Sequence, residues 1–183
     1  MFLIVLSPAK SLDFDRKLNC KKKSIPDFIH ESKTLINYLL KLKKEELGRL
    51  MGISQKLIDL NYERYKSWNE DFNLNNSRHA ISCFTGDVYK GLDVNSFSLE
   101  DLEYSQGHLR ILSGLYGLLR PLDLMKPYRL EMGVKLQTEK GKNLYEFWEN
   151  KLTDKLNQNF IDSKNEYLVN LASNEYFDSV NKS

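Results

Sequence analysis

Phe2-Leu3-Ile4-Val5-Leu6 is an unbroken, β-prone apolar run that stops at Ser7-Pro8. A run this short with no polar alternation is the form of a strand covered on both faces, so it predicts a central strand rather than an edge. Three later segments repeat the form and each ends at small or hydroxyl residues: Ala80 to Phe84, Leu109 to Leu112, and Tyr167 to Leu171. Between them lie helical stripes. Phe28, Ile29, Leu35, Ile36, Leu39 and Leu42 share one face; Leu57, Ile58, Tyr65 and Trp68 share a second. Leu144, Trp148, Leu152 and Leu156 recur every four residues and predict a third helix, opened by the capping pair Asn143 and Glu146. Buried strands alternating with amphipathic helices argue for an α/β arrangement, with at least part of the sheet parallel. Residues 28–68 hold no strand signal and are expected to form a helical subdomain beside that sheet.

Composition removes several classes of function. At 183 residues with 41% hydrophobic and 28% charged, the chain is long enough for one domain with a real core. Twenty-seven Lys and Arg against 25 Asp and Glu leave a net charge of +2, so a polyanion site has to be a local patch. The excess is uneven: residues 1–50 carry 11 basic and 6 acidic side chains, residues 51–100 carry 5 and 7. No apolar run approaches the roughly 20 residues of a membrane span, and a cytoplasmic location is expected. Cys20 and Cys83 lack any CxxC spacing, and His30, His79 and His108 are scattered, so neither a disulfide framework nor a metal site is predicted. GxxxxGK[ST], GxGxxG and GxSxG are all missing, and nothing in the sequence calls for a cofactor.

Ligands of open α/β sheets bind beyond the carboxyl ends of the strands. That rule selects Ser7 to Asp13, with Lys10 three residues past the strand; Thr85 to Tyr89, where Asp87 stands at a helix start; Ser113 to Asp123; and Ser173 to Tyr176. The richest stretch runs from His108 to Arg129, where Arg110, Arg120, Lys126 and Arg129 meet one carboxylate, Asp123, and interleave with Tyr116 and Tyr128. Cations beside aromatics suit phosphate and base contacts. A plain structural role competes: Arg120 pairs with Asp123 in a turn, and the tyrosines cover the end of the sheet. Gly114 and Gly117 mark either a close backbone approach to a ligand or a tight turn, of which the turn is the commoner. A second constellation, Leu50-Met51-Gly52-Ile53-Ser54 with Lys56 nearby, has the hydrophobic-Gly-hydrophobic form of a helix-hairpin-helix turn, whose amides can face a phosphate. The same residues also serve as an ordinary link between packed helices.

Five blocks carry a family resemblance: Ile4 to Asp13, Phe84 to Leu92, Leu109 to Gly133, Asn143 to Trp148 and Asn170 to Phe177. Together they resemble the signature blocks of the YaaA peroxide-stress family, over residues 1 to about 180 of a single domain at 1–183. The resemblance implies a mixed sheet wrapped by helices, a basic cleft and a helix-hairpin-helix element. It also implies a bacterial cytosolic role in iron homeostasis, limiting free intracellular iron and thereby oxidative DNA damage during peroxide stress, with binding to double-stranded or branched DNA irrespective of sequence. By that resemblance the hairpin maps onto Leu50 to Ser54 and the cleft onto Lys10, Arg120 and Arg129. Lys126 and Val134 depart from the expected central block. Family chains continue past the Asn170-Leu171-Ala172-Ser173 block, so the chain is expected to lack a C-terminal part.

Two functions follow as expectations. In the first, a non-enzymatic protein binds DNA phosphates through Lys10, Gly52, Ser54, Lys56, Arg120, Lys126, Tyr128 and Arg129. In the second, an enzyme acts on a nucleotide, nucleobase or other anionic small ligand; Arg120 and Arg129 hold phosphate, and Asp87, Tyr116 and Glu175 are the catalytic candidates. Convergence of Lys10, Asp87 and Arg120 on one pocket is the feature that would favour the enzyme.

Overall fold

The computed structural model describes residues 1–163 and 165–180; Lys164 and residues 181–183, which the single-domain expectation includes, lie outside them. In chain order the elements begin with β1 (Phe2–Leu6), β2 (Ser11–Leu12), α1 (Ile29–Lys41), α2 (Lys44–Met51) and α3 (Gln55–Ser67). There follow β3 (Arg78–His79), α4 (Ala80–Cys83), β4 (Phe84–Thr85), α5 (Asp87–Leu92) and α6 (Leu99–His108). The chain then forms β5 (Leu109–Ser113), β6 (Gly117–Leu119), β7 (Leu124–Met125), α7 (Leu144–Trp148), α8 (Lys151–Asp162), β8 (Tyr167–Asn170) and α9 (Asn174–Phe177). The architecture is mixed α+β: a four-stranded sheet ordered β6-β5-β1-β8, with two small two-stranded sheets, β2-β4 and β3-β7.

β1 is central as its sequence demands. It runs parallel to β5, with Leu6 opposite Ile111, and parallel to β8, with Phe2 opposite Tyr167. Its alternation serves two cores: Leu3 and Val5 join the larger cluster, which also holds Leu35 and Leu39 of α1 and Trp148 of α7, while Leu6 joins Ile81, Leu102 and Leu109 on the other side. β6 turns back antiparallel to β5, with Ser113 opposite Gly117, and Gly117 makes that reversal at φ +69°.

Three expectations are corrected. Ala80 to Phe84 is not a sheet strand: Ala80–Cys83 is one helical turn, and only Phe84–Thr85 extends, pairing with β2. The amides of Ala80 and Ile81 donate to the carbonyls of Asp123 and Pro121, and every side chain of the turn is buried, so a continuous apolar run gave no period to tell the two structures apart. The 144–156 stripe is not one helix. Asn143 Oδ1 does cap it by accepting from the Glu146 amide at 2.9 Å, but the chain breaks at Glu149 (φ 45°, ψ −127°) and restarts as α8. β8 is an edge strand with Tyr167 and Leu168 exposed, not a strand covered on both faces.

Residues 28–68 are helical, and their apolar faces complete the larger core through Leu35, Leu39, Leu47, Ile58 and Tyr65. α2 and α3 meet closely because Gly48 has no side chain: a Cβ there would lie 2.3 Å from Ile58 Cδ1. Gly52 ends α2 in the left-handed region at φ 61°, its amide donating to the Gly48 carbonyl at 2.8 Å. Lys44 and Asp59 pair across the two helices at 2.6 Å. No helix among the described residues is long and apolar enough to cross a membrane.

Candidate functional site

The carboxyl ends of β1, β5 and β8 draw several loops together. Ser7 Oγ accepts from the Ser173 amide at 2.8 Å, and the Ser7 carbonyl accepts from the Tyr89 hydroxyl at 2.8 Å. Gly114, just past β5, packs directly on the 130–131 backbone; a Cβ there would fall 2.2 Å from the Leu130 carbonyl oxygen. Gly114 is therefore a close approach to the protein's own backbone and Gly117 a tight turn. The Tyr65 hydroxyl on α3 donates to the Arg129 carbonyl, and the Gly133 amide donates to Glu175 Oε1 at 3.0 Å.

Around these anchors lies an open cleft of about 550 Å³, lined by Lys10, Arg49, Leu50, Met51, Glu131, Gly133, Val134, Lys135 and Glu175. Behind Lys10 a slot of about 10 Å³ runs between Pro8, Tyr128, Arg129, Glu131 and Tyr176, room for about one water. Burial alternates along this wall. Leu130, Met132, Val134 and Leu136 point into the core, which turns Arg129, Glu131, Gly133 and Lys135 toward the cleft. The structure thus adds Arg49, Glu131 and Lys135 to the candidates. Glu131 and Lys135 are signalled by the apolar alternation from Leu130 to Leu136, whereas Arg49 has no such mark.

Arg129 and Glu131 form a half-closed fork. Arg129 Nη2 donates to Glu131 Oε1 at 2.7 Å, yet Arg129 Nε and Glu131 Oε2, both buried, have no hydrogen-bond partner. Nε and Nη2 share one edge of a guanidinium, so a second bond to the same carboxylate is the usual geometry, and its absence leaves a donor and an acceptor for another group. Lys10 Nζ stands 4.0 Å from Glu131 Oε1 with its side chain largely exposed. Burial raises the tyrosine hydroxyls of Tyr128 and Tyr176 well above their ordinary range, so both stay protonated.

The other predicted residues lie elsewhere. Because β6 is antiparallel, Arg120 leaves it one residue beyond the Ile111–Leu119 pair, level with Arg110 and running back toward the start of β5 and away from its carboxyl end. There its Nη2 lies 2.9 Å from Asp123 and 3.4 Å from Asp27. Burial opposes its charge, but those carboxylates, Asp123 foremost, hold its pKa above the ordinary arginine value. Lys126 donates to the Asn69 carbonyl at 3.0 Å and to its side chain at 2.5 Å, and stands 5.0 Å from the centre of the Phe72 ring. Tyr116 is fully buried, bonded to Trp68 Nε1 and to the backbone of Lys126. Asp87 does begin α5, but its side chain is 99% exposed and pairs with Lys90. Lys10, Arg129, Tyr128 and Glu175 are brought together; Arg120, Lys126, Tyr116 and Asp87 are not, and each of these four has a sufficient structural or solvent-facing role. Gly52 and Ser54 on the α2–α3 turn and Lys56 at the start of α3 are exposed, just beyond the Arg49–Met51 rim of the cleft.

An α+β protein with a cation-rimmed cleft at the carboxyl ends of its parallel strands, flanked by a helical hairpin, is the class these features define. The sequence profile of the family described as peroxide stress protein YaaA matches residues 2–183. A UPF0246 protein of Ralstonia pickettii is 53% identical over 178 residues, which cover 97% of this chain and 69% of that protein. A UPF0246 protein of Shewanella amazonensis is 50% identical over the same shares of both chains. The chain belongs to the YaaA family of peroxide stress proteins.

Proposed function

We propose that this chain acts in the cytoplasm during peroxide stress by holding DNA through its phosphates, in the cleft between Lys10 and the α2–α3 hairpin. The observation that carries the reading is the distribution of charge on the rim. Arg49 and Lys135 have no carboxylate partner among the described residues, and the exposed Lys10 is only loosely tied to Glu131. Lys10, Arg49, Arg129 and Lys135 outnumber the carboxylates around the cleft, Glu131, which pairs with Arg129 through Oε1, and Glu175, which accepts from the Gly133 amide. The charge left for a partner is therefore positive, and phosphates are the partner it suits. The neighbouring amides at the start of α3 supply further donors from a hairpin whose shape Gly52 sets. Arg120 and Lys126 are left out of this surface. No group of three or more His, Cys, Asp or Glu side chains able to hold a metal occurs among the described residues. The limitation of iron-dependent damage is assigned to shielding of DNA.

Mobility-shift titrations across salt concentration test this. Lys10→Ala, Arg49→Ala and Lys135→Ala should each weaken binding and flatten the dependence of log affinity on log salt by about one unit for every phosphate no longer neutralised. Arg120→Ala should leave that slope unchanged. Binding that ignores salt, or slopes unmoved in all three rim variants, rejects the assignment.

The half-closed Arg129–Glu131 fork favours a second reading, chemistry on a nucleotide or nucleobase. In it Glu131 takes the acid–base role that the sequence alone suggests for Asp87 or Glu175, and Glu175 lines the same cleft. A Glu131→Gln protein that keeps its DNA affinity but loses a product formed by the unaltered protein would select it.

A further inference from the structure

The DNA reading gives no role to a second open concavity, about 480 Å³, where the end of α1, α2 and the 135–137 segment meet. Leu42, Leu50 and Leu136 give it an apolar floor, and Tyr38 is the one aromatic side chain among the described residues that line it. Lys41 Nζ covers one face of that ring, 4.8 Å from its centre, and the Tyr38 hydroxyl accepts from the Glu139 amide at 3.0 Å. The ring is thus a fixed wall and a poor platform for stacking. Around the floor stand Lys41, Arg49 and Lys135, all exposed and none in an ion pair among the described residues. The acid beside them is Glu46, and its Oε2 accepts from the Lys43 amide at 2.7 Å.

An aliphatic floor gains free energy when apolar side chains cover it, and the three cations set the charge of what brings them. Sugars and phosphates answer the cations and leave the floor wet. A peptide in which leucine or phenylalanine alternates with aspartate or glutamate answers both. We propose that this concavity docks an acidic, leucine- or phenylalanine-bearing segment of a partner protein, its apolar side chains on Leu42, Leu50 and Leu136 and its carboxylates at Lys41, Arg49 and Lys135. Arg49 and Lys135 also line the cleft, so partner and DNA compete for them, a competition that rests on the DNA reading. Each then lowers the affinity for the other by the same factor.

Fluorescence anisotropy with a labelled peptide of alternating aspartate and leucine tests the docking, beside a counterpart carrying serine for leucine and another carrying asparagine for aspartate. The first should bind saturably, and the serine peptide should bind roughly tenfold or more weaker, the worth of one buried leucine. The asparagine peptide should also be weaker. Lys41→Ala should weaken the first peptide roughly two- to fivefold and Leu42→Ser roughly tenfold, while the DNA titration of Lys41→Ala stays as before. Unlabelled peptide should displace bound DNA from the unaltered protein. No saturable binding, or equal binding of the serine peptide, overturns the inference and leaves the DNA reading to its own titrations. Peptide and DNA bound together without mutual effect overturns the competition. Peptide bound by a protein that takes up no DNA rejects the DNA reading and leaves the docking site standing.

Discussion

Asp123 illustrates how one residue decides what another is free to do. Its side chain is 1% exposed, and its oxygens accept from the Arg120 amide at 2.7 Å, the Arg120 guanidinium and Ser24 Oγ at 2.6 Å. A carboxylate so enclosed is tolerated only because each lone pair has a donor. Removing it leaves the half-buried Arg120 guanidinium with only Asp27 and the Ile25 carbonyl, so Asp123→Ala should cost about 2–3 kcal/mol in chemical denaturation. DNA affinity per folded molecule should not change. Equal stability of the variant would show that Arg120 is available to a ligand after all. The same logic acts on the thiols: burial pushes the Cys83 thiol far above its ordinary range, and Cys20 is buried as well.

At the scale of elements, the break between α7 and α8 is the clearest conflict between local preference and tertiary demand. The four-residue stripe of Leu144, Trp148, Leu152 and Leu156 suits one helix, but all four side chains reach the core only because the axis changes direction at Glu149. Glu149 pays for this with φ 45° and ψ −127°, a region that suits glycine. Glu149→Gly should therefore stabilise the protein by about 1 kcal/mol, raising Tm by roughly 2–4 °C in a calorimetric scan. A lower Tm would mean that the Glu149 side chain has a role outweighing the strain. Periodicity places this helical segment but not its break, since a pattern of apolar positions records which residues are buried and not the path between them. The Ala80–Cys83 turn departs from its expected strand for the same reason, every residue in it being buried.

For the molecule as a whole, the core and the cleft share a wall. Gly114 lies against the Leu130 carbonyl at the point where the end of β5 meets the segment carrying Arg129 and Glu131, and Trp148 Nε1 donates to the Gly114 carbonyl at 3.1 Å. Gly114→Ala should push that wall outward, costing about 1–3 kcal/mol by overpacking and weakening binding in the cleft at conditions where the variant is still folded. Lower stability with unchanged affinity would show that the wall moves independently of the site. The central strand, the parallel pairing it implies, the helical stretch 28–68 and the segments that follow β1, β5 and β8 are legible in the sequence, because each depends on the identities of neighbouring residues. Which cations the cleft would receive was not legible. Lys10 and Arg129 meet across a long separation in sequence while Arg120, nine residues before Arg129, pairs with Asp123 and Asp27 instead, because β6 reverses direction and carries it back toward the start of β5. Burial, capping and turn chemistry are local properties that a sequence states directly, whereas strand direction and the distance between charges exist only once the sheet has closed.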